Sequence, residues 1–112
     1  MVDEALLGAI RFYAASLYPV FENLGEVAAK EIAMAAEEAN LKYPCWMRNE
    51  KGKFPEFELP HLGKKSSVFC IAALSAYLVW TVLKAGMELP GSPLLEAARD
   101  GYQLWKLEGS GA

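Results

Sequence analysis

The chain has 112 residues, 54% of them hydrophobic, and a formal net charge of −3. That length sets a single domain with a small core, and the charge excludes a molecule that is basic as a whole. The hydrophobic share exceeds the roughly 45–50% usual for a soluble domain, so part of it is expected to be shared with a partner chain, a membrane or a ligand.

The first residues, Met1-Val2-Asp3-Glu4, are acidic where a secretory signal needs positive charge. No targeting signal is read there, and because a Cys45–Cys70 bridge has no support in the sequence, a reducing, cytoplasmic location is expected. Asp3 reads as a helix N-cap with Glu4 in the first turn. Leu6, Ile10, Tyr13 and Leu17 then recur at helical period, predicting a helix from Asp3 to Leu17 that Pro19 ends or kinks. Beyond Pro19, Phe21, Leu24, Ala28, Ile32, Ala35 and Ala39 line one face of a second helix that stops near Asn40. Its alanines favour helix and let a neighbour approach closely.

From Leu41 to Lys65 the helical pattern disappears, and Pro44, Pro55, Pro60, Gly52 and Gly63 punctuate the chain. An ordinary solvated linker would not carry Tyr43, Trp46, Phe54, Phe57 and Leu59. A short hairpin is expected there, with Asn49-Glu50-Lys51-Gly52 as its turn between Trp46–Arg48 and Lys53–Glu58.

Ser66 to Leu83 is the organising stretch, with no charge between Lys65 and Lys84. Ser66 or Ser67 should cap this helix and Gly86 should end it. A helix apolar on every face is the centre of a bundle or a membrane span. Ser75 and Thr81 interrupt it, and three amphipathic helices are available to cover it, which favours the bundle. Ala72 and Ala76, one turn apart, offer a close-packing seam, and with Trp80 they are the expected subunit contacts. Pro90-Gly91-Ser92-Pro93 is a turn, and Pro93 opens a last helix striped by Leu95, Ala98, Tyr102 and Trp105. The expected fold is thus all-α: a small bundle of about four helices over residues 1–107, with a long loop or short β-hairpin between helices 2 and 3. Residues 108–112, rich in Gly and Ser, read as a flexible tail.

Chemistry-bearing motifs are sparse. Two cysteines, Cys45 and Cys70, do not make a disulfide framework, and Cys70 in the apolar run reads as a small buried hydrophobe. A di-iron bundle needs Glu-x-x-His on facing helices, whereas the one histidine, His61, falls in the loop. No metal site, cofactor or catalytic residue is expected. A Cys45–His61 nucleophilic pair is the enzymatic alternative, a hydrolase. Helical-bundle ribonucleases pair an Arg with a nearby His on one helix; Arg48 and His61 lie 13 positions apart across prolines.

The loop carries the charge asymmetry. Six bases (Lys42, Arg48, Lys51, Lys53, Lys64, Lys65) face three acids (Glu50, Glu56, Glu58) between 42 and 65. Bases interleaved with aromatics can meet phosphates and stack on bases of single-stranded nucleic acid. Lys42, Trp46, Arg48, Lys51, Lys53, Lys64 and Lys65 are therefore the candidate contacts to RNA or single-stranded DNA. The competing reading turns the aromatics inward as a lid on the bundle. The preferred function is a non-enzymatic helical subunit of a larger assembly, bound to other protein subunits or to itself. In size and composition it is similar to small helical subunits of CRISPR-type effector complexes and to helical coat proteins of filamentous viruses, though no motif of either is present. The alternative is a small membrane-associated protein that inserts residues 66–83.

Overall fold

The computed structural model describes residues 4–43 and 55–110. In chain order it holds α1 (Glu4–Leu24), α2 (Glu26–Lys42), β1 (Glu56–Leu59), β2 (Gly63–Ser66), α3 (Ser67–Lys84) and α4 (Pro93–Ser110). The strands form one antiparallel hairpin between α2 and α3, so the four helices build the globule. The last helix continues through Ser110, into the stretch read from sequence as tail.

Pro19 is not a boundary: it sits inside α1, on the exposed side. A proline in a helix interior costs about 3 kcal/mol. Leu17 and Phe21 on either side are fully buried. At about 1.5–3 kcal/mol for each buried side chain, their burial offsets the missing hydrogen bond and carries the helix through. The break falls instead at Gly25, whose φ of 94° is open to glycine and strained for other residues. The Gly25 N–H still bonds the Phe21 carbonyl at 2.8 Å, and its own carbonyl accepts from Ala29 at 3.0 Å. One residue thus serves as the end of α1 and the start of α2.

Buried positions follow the expected stripes only approximately. Helix α1 buries Ile10, Ala14, Leu17, Tyr18 and Phe21, leaving Leu6 and Tyr13 at the margin. Helix α2 buries Ala29, Ile32, Ala33 and Ala36, so the expected stripe holds at Ile32 while Ala28, Ala35 and Ala39 sit half-buried beside it.

Helix α3 is the axis, in contact with α1, α2 and α4. By length and composition alone it could cross a bilayer. Here Val68, Phe69, Cys70, Ala72, Ala73, Ala76, Val79 and Trp80 are enclosed by the chain's own helices. Ser66 caps it, its hydroxyl accepting from the Phe69 N–H at 3.3 Å. At the other end Gly86 has φ 71°. Its N–H bonds the Leu83 carbonyl and the Met87 N–H bonds the Val82 carbonyl, which is the Schellman arrangement.

Helix α4 packs chiefly on α1. The crossing is closest at Gly101: a Cβ added there would lie 2.5 Å from the Arg11 carbonyl oxygen and 3.2 Å from the Ala14 Cβ. The Tyr18 hydroxyl, fully buried, donates to the Ala98 carbonyl at 2.6 Å and ties the two helices together. Burial, and secondarily Tyr102, raises the phenol above its ordinary value. The Tyr18 ring meets Tyr102 edge-on at 5.0 Å and stacks on Trp105 at 5.8 Å.

The hairpin among the described residues lies beyond the expected turn. Glu56–Leu59 pairs with Gly63–Ser66, in the register Glu56↔Ser66, Phe57↔Lys65, Glu58↔Lys64 and Leu59↔Gly63. The turn is Leu59-Pro60-His61-Leu62, closed by the Leu62 N–H to the Leu59 carbonyl at 3.1 Å. Pro60 presets the first corner and His61 has φ 67°, the positive value a type II turn needs at its third residue. The expected turn at Asn49–Gly52 and the arm Trp46–Arg48 lie outside the described residues. Alternation decides what the hairpin covers: Leu59 is buried and Phe57 half-buried, while Glu56 and Glu58 face water. In this part of the excursion the aromatic and aliphatic residues do turn toward the core.

Candidate functional site

Of the residues expected to meet nucleic acid, Trp46, Arg48, Lys51 and Lys53 lie outside the described residues, as does Cys45. Lys42 ends α2, with its Nζ 5.3 Å from the Tyr43 ring. Lys64 stands across the hairpin from Glu58, and Lys65 across from Phe57. Two acids and two lysines therefore balance over residues 55–66, His61 apart. His61 Nε2 lies 3.8 Å from Glu31 Oε2, both side chains exposed.

Lys64 and Lys65 nonetheless line a definite cleft. It encloses about 370 Å³ between α1 and the start of α3, and Phe12, Tyr13, Ser16, Ser66 and Phe69 complete it. The rings form a chain: Phe12 to Tyr13 at 5.7 Å, then Tyr13 to Phe69 at 5.4 Å, both edge-on. Lys65 Nζ sits 5.1 Å from the Phe69 centroid, a cation–π contact. Phe12 is 68% exposed. The cleft thus joins two cations to an open aromatic face. Sequence reasoning does not single out Phe12 or Tyr13 as lining a cleft; the available signal is an aromatic next to Arg11 on the helix's wetter side.

The three expected subunit contacts are not at the surface. Ala72, Ala76 and Trp80 are at most 1% exposed, packed within this chain. Trp80 donates from Nε1 to Glu22 Oε1 at 2.8 Å, and Lys84 Nζ lies 4.4 Å from the Trp80 ring. These residues hold α3 in the bundle. The side of α3 that looks outward carries Leu74, Tyr77 and Leu78 instead.

That outward side is the floor of an apolar groove. One stretch, of about 500 Å³, runs between α2 and α3 and is lined by Lys30, Met34, Glu37, Leu41, Leu74 and Leu78 among others. An adjoining stretch of about 430 Å³ continues to Leu94 and Leu95 of α4. Asn40, Leu74 and Leu78 line both, so the two are continuous. Met34 is 60% exposed, Leu41 76% and Leu78 48%. Asn40 adds a polar feature at the junction, since its Oδ1 is buried without a hydrogen-bond partner. Such a group carries an unmet cost of roughly 1–3 kcal/mol until a donor reaches it.

Cys70 is buried, and burial pushes its thiol up to about 11, so it is a packing residue. Among the described residues no three His, Cys, Asp or Glu side chains converge as a metal site would require. The fold and its surfaces define a four-helix globule with a two-stranded hairpin between its second and third helices. No protein-family profile, curated protein or solved structure matches this chain.

Proposed function

We propose that this protein is a non-enzymatic helical subunit of a larger assembly, docked to its neighbour through the groove over α3. The observation that carries this reading is the groove itself. Leucines and a methionine from α2, α3 and α4 stand partly exposed around one continuous apolar trough with a single unpaired amide oxygen at its centre. Contiguous apolar surface of this kind is the usual mark of an interaction site. The test is the size and phase of the chain in extracts of its own cell. The wild type should elute well above its 12.3 kDa in the soluble fraction, and Leu78→Glu should move it to monomer size. Elution at monomer size by both proteins would refute the reading. Sedimentation with membranes, reversed only by detergent, would favour insertion of residues 66–83 instead.

A second reading is favoured by the cleft of Phe12, Tyr13, Phe69, Lys64 and Lys65, which has the composition of a single-strand contact. Labelled oligo-U and oligo-dT are the probes. Phe12→Ala should weaken binding by roughly 1–3 kcal/mol. Charge reversal at Lys64 and Lys65, with Lys51 and Lys53 in the same excursion, should weaken it further. The salt slope should flatten by about 0.7 for each phosphate that is no longer neutralised. Binding unchanged by these substitutions, or none at low salt, refutes this second reading.

A further inference from the structure

Helix α2 exposes three large apolar side chains that its own bundle does not use. Val27, Met34 and Leu41 are 77%, 60% and 76% exposed, and they stand seven residues apart. A strict heptad spacing keeps one edge of a helix facing a partner helix over its length. Met34 and Leu41 of this stripe are also the wall of the groove, and Lys30 and Glu37 lie on the same side. Stripe, groove and both charges therefore make one surface.

We propose that this surface is self-complementary: a second copy of the chain docks on it, α2 antiparallel to α2, about a two-fold axis passing beside Met34. The proposal rests on the assembly reading above and names the neighbour. Antiparallel pairing about such an axis lays groove on groove, so that Leu78 of one copy is covered by the apolar wall of the other. It places Val27 opposite Leu41 of the second copy, and Met34 opposite itself. Lys30 precedes Met34 by four residues, about 6 Å along the helix, and Glu37 follows it by three, about 4.5 Å. Each lysine thus falls opposite the second copy's glutamate, twice, as an isologous interface requires. Parallel pairing about the helix direction would set the groove of one copy against the outer side of the other's α2, where Glu31 and Glu38 lie. It would leave both grooves open, and its charge contacts, Lys30 beside Glu31 and Glu37 beside Glu38 of the second copy, give no compensating gain. Antiparallel pairing does bring Glu31 near Glu38 of the second copy. That contact stays on the wet rim, where salt screens it and Glu31 has His61 3.8 Å away.

Sedimentation equilibrium of the purified full chain, with charge-swap variants, tests this. The wild type should reach twice 12.3 kDa at high micromolar concentration. Lys30→Glu and Glu37→Lys should each weaken the dimer at least tenfold, by setting like charges face to face. The double variant Lys30→Glu/Glu37→Lys should restore it. Circular dichroism confirms that each variant is folded. Rescue by the double swap would not follow from a merely structural effect, since positions 30 and 37 are two turns apart within one helix. A wild-type monomer at 200 μM, or a dimer indifferent to all three variants, overturns the self-pairing. If that monomer still elutes in a large complex from cell extract, and Leu78→Glu abolishes it, only the identity of the neighbour is overturned. If it is monomeric in extract as well, the assembly reading falls with it.

Discussion

Gly101 sits inside α4, where glycine is a poor helix former: replacing it with alanine should gain up to about 1 kcal/mol from propensity alone. The packing predicts the opposite outcome. The new Cβ would stand 2.5 Å from the Arg11 carbonyl oxygen and 3.1 Å from the Ala15 nitrogen, both backbone atoms. An unstrained carbon–oxygen contact needs about 3.3 Å, so α1 and α4 must part by nearly 1 Å at the crossing. Overpacking of a tight contact costs about 1–3 kcal/mol, and a backbone obstacle belongs at the upper end because no rotamer change relieves it. The separation would also stretch the Tyr18 to Ala98 hydrogen bond three residues away. After subtracting the propensity gain, Gly101→Ala should lose about 1–2 kcal/mol. For a domain of this size that lowers Tm by roughly 4–10 °C. Gly8→Ala in α1 is the control, because nothing lies within 4 Å of its added Cβ; it should raise Tm by a few degrees. Thermal unfolding followed by circular dichroism reads both. If Gly101→Ala melts at or above the wild type, alongside Gly8→Ala, the α1–α4 crossing is looser than described and the argument fails.

Two further predictions concern buried polar groups. Burial raises the Tyr18 phenol above its ordinary 10.0 and the Cys70 thiol from 9.0 to about 11. In each case the unfolded chain releases its proton at lower pH than the folded one. Stability should therefore be full below pH 9 and fall as pH rises through 9 for Cys70 and 10 for Tyr18, by up to about 1.4 kcal/mol per pH unit for each group. Tyr18→Phe should cost about 1 kcal/mol at neutral pH and remove the part of the fall that begins at pH 10; equal slopes for variant and wild type in urea titrations at about pH 10 and 11 would contradict this. Glu22→Ala leaves the buried Trp80 N–H without its acceptor and should cost about 1–2 kcal/mol, whereas Glu22→Gln keeps an oxygen in place and should recover about half. Urea midpoints that do not separate the two variants would show that water replaces Glu22 at no cost.

Element type and order were largely legible in the sequence, because they rest on local chemistry. Ser66 and Gly86 mark the ends of α3 by their own side-chain and backbone properties, and Pro93 opens α4 for the same reason. The joint between α1 and α2 is not legible in the sequence, because proline's local penalty is legible and the burial of Phe21 that overrides it is not. The pairing of Glu56–Leu59 with Gly63–Ser66 is not legible in the sequence for a related reason. Gly63-Lys64-Lys65-Ser66 has no apolar alternation to announce a strand, and only pairing with Glu56–Leu59 makes it one.

The two proposed interaction surfaces divide in the same way. The heptad spacing of Val27, Met34 and Leu41 is in the sequence, yet α2 is so rich in alanine that several faces could have been buried. Its neighbours decided that Ala29, Ile32 and Ala36 turn inward. Phe12 and Lys65 are 53 positions apart, and only the tertiary fold brings them to one cleft.

The stretch from Ser66 to Leu83 gives the sharpest division between the two sources. Its sequence alone determined a helix, capped at both ends and too apolar to stand in water. Being apolar on every side, it carried no asymmetry from which to choose an outward face. Nothing local distinguishes Ala72, Ala76 and Trp80 from Leu74 and Leu78 as its outward face. The tertiary structure decided this, because α1, α2 and α4 enclose the first set and leave the second at the floor of a groove. Three helices of one small chain do not close around a fourth, and where they stop is set by their mutual packing.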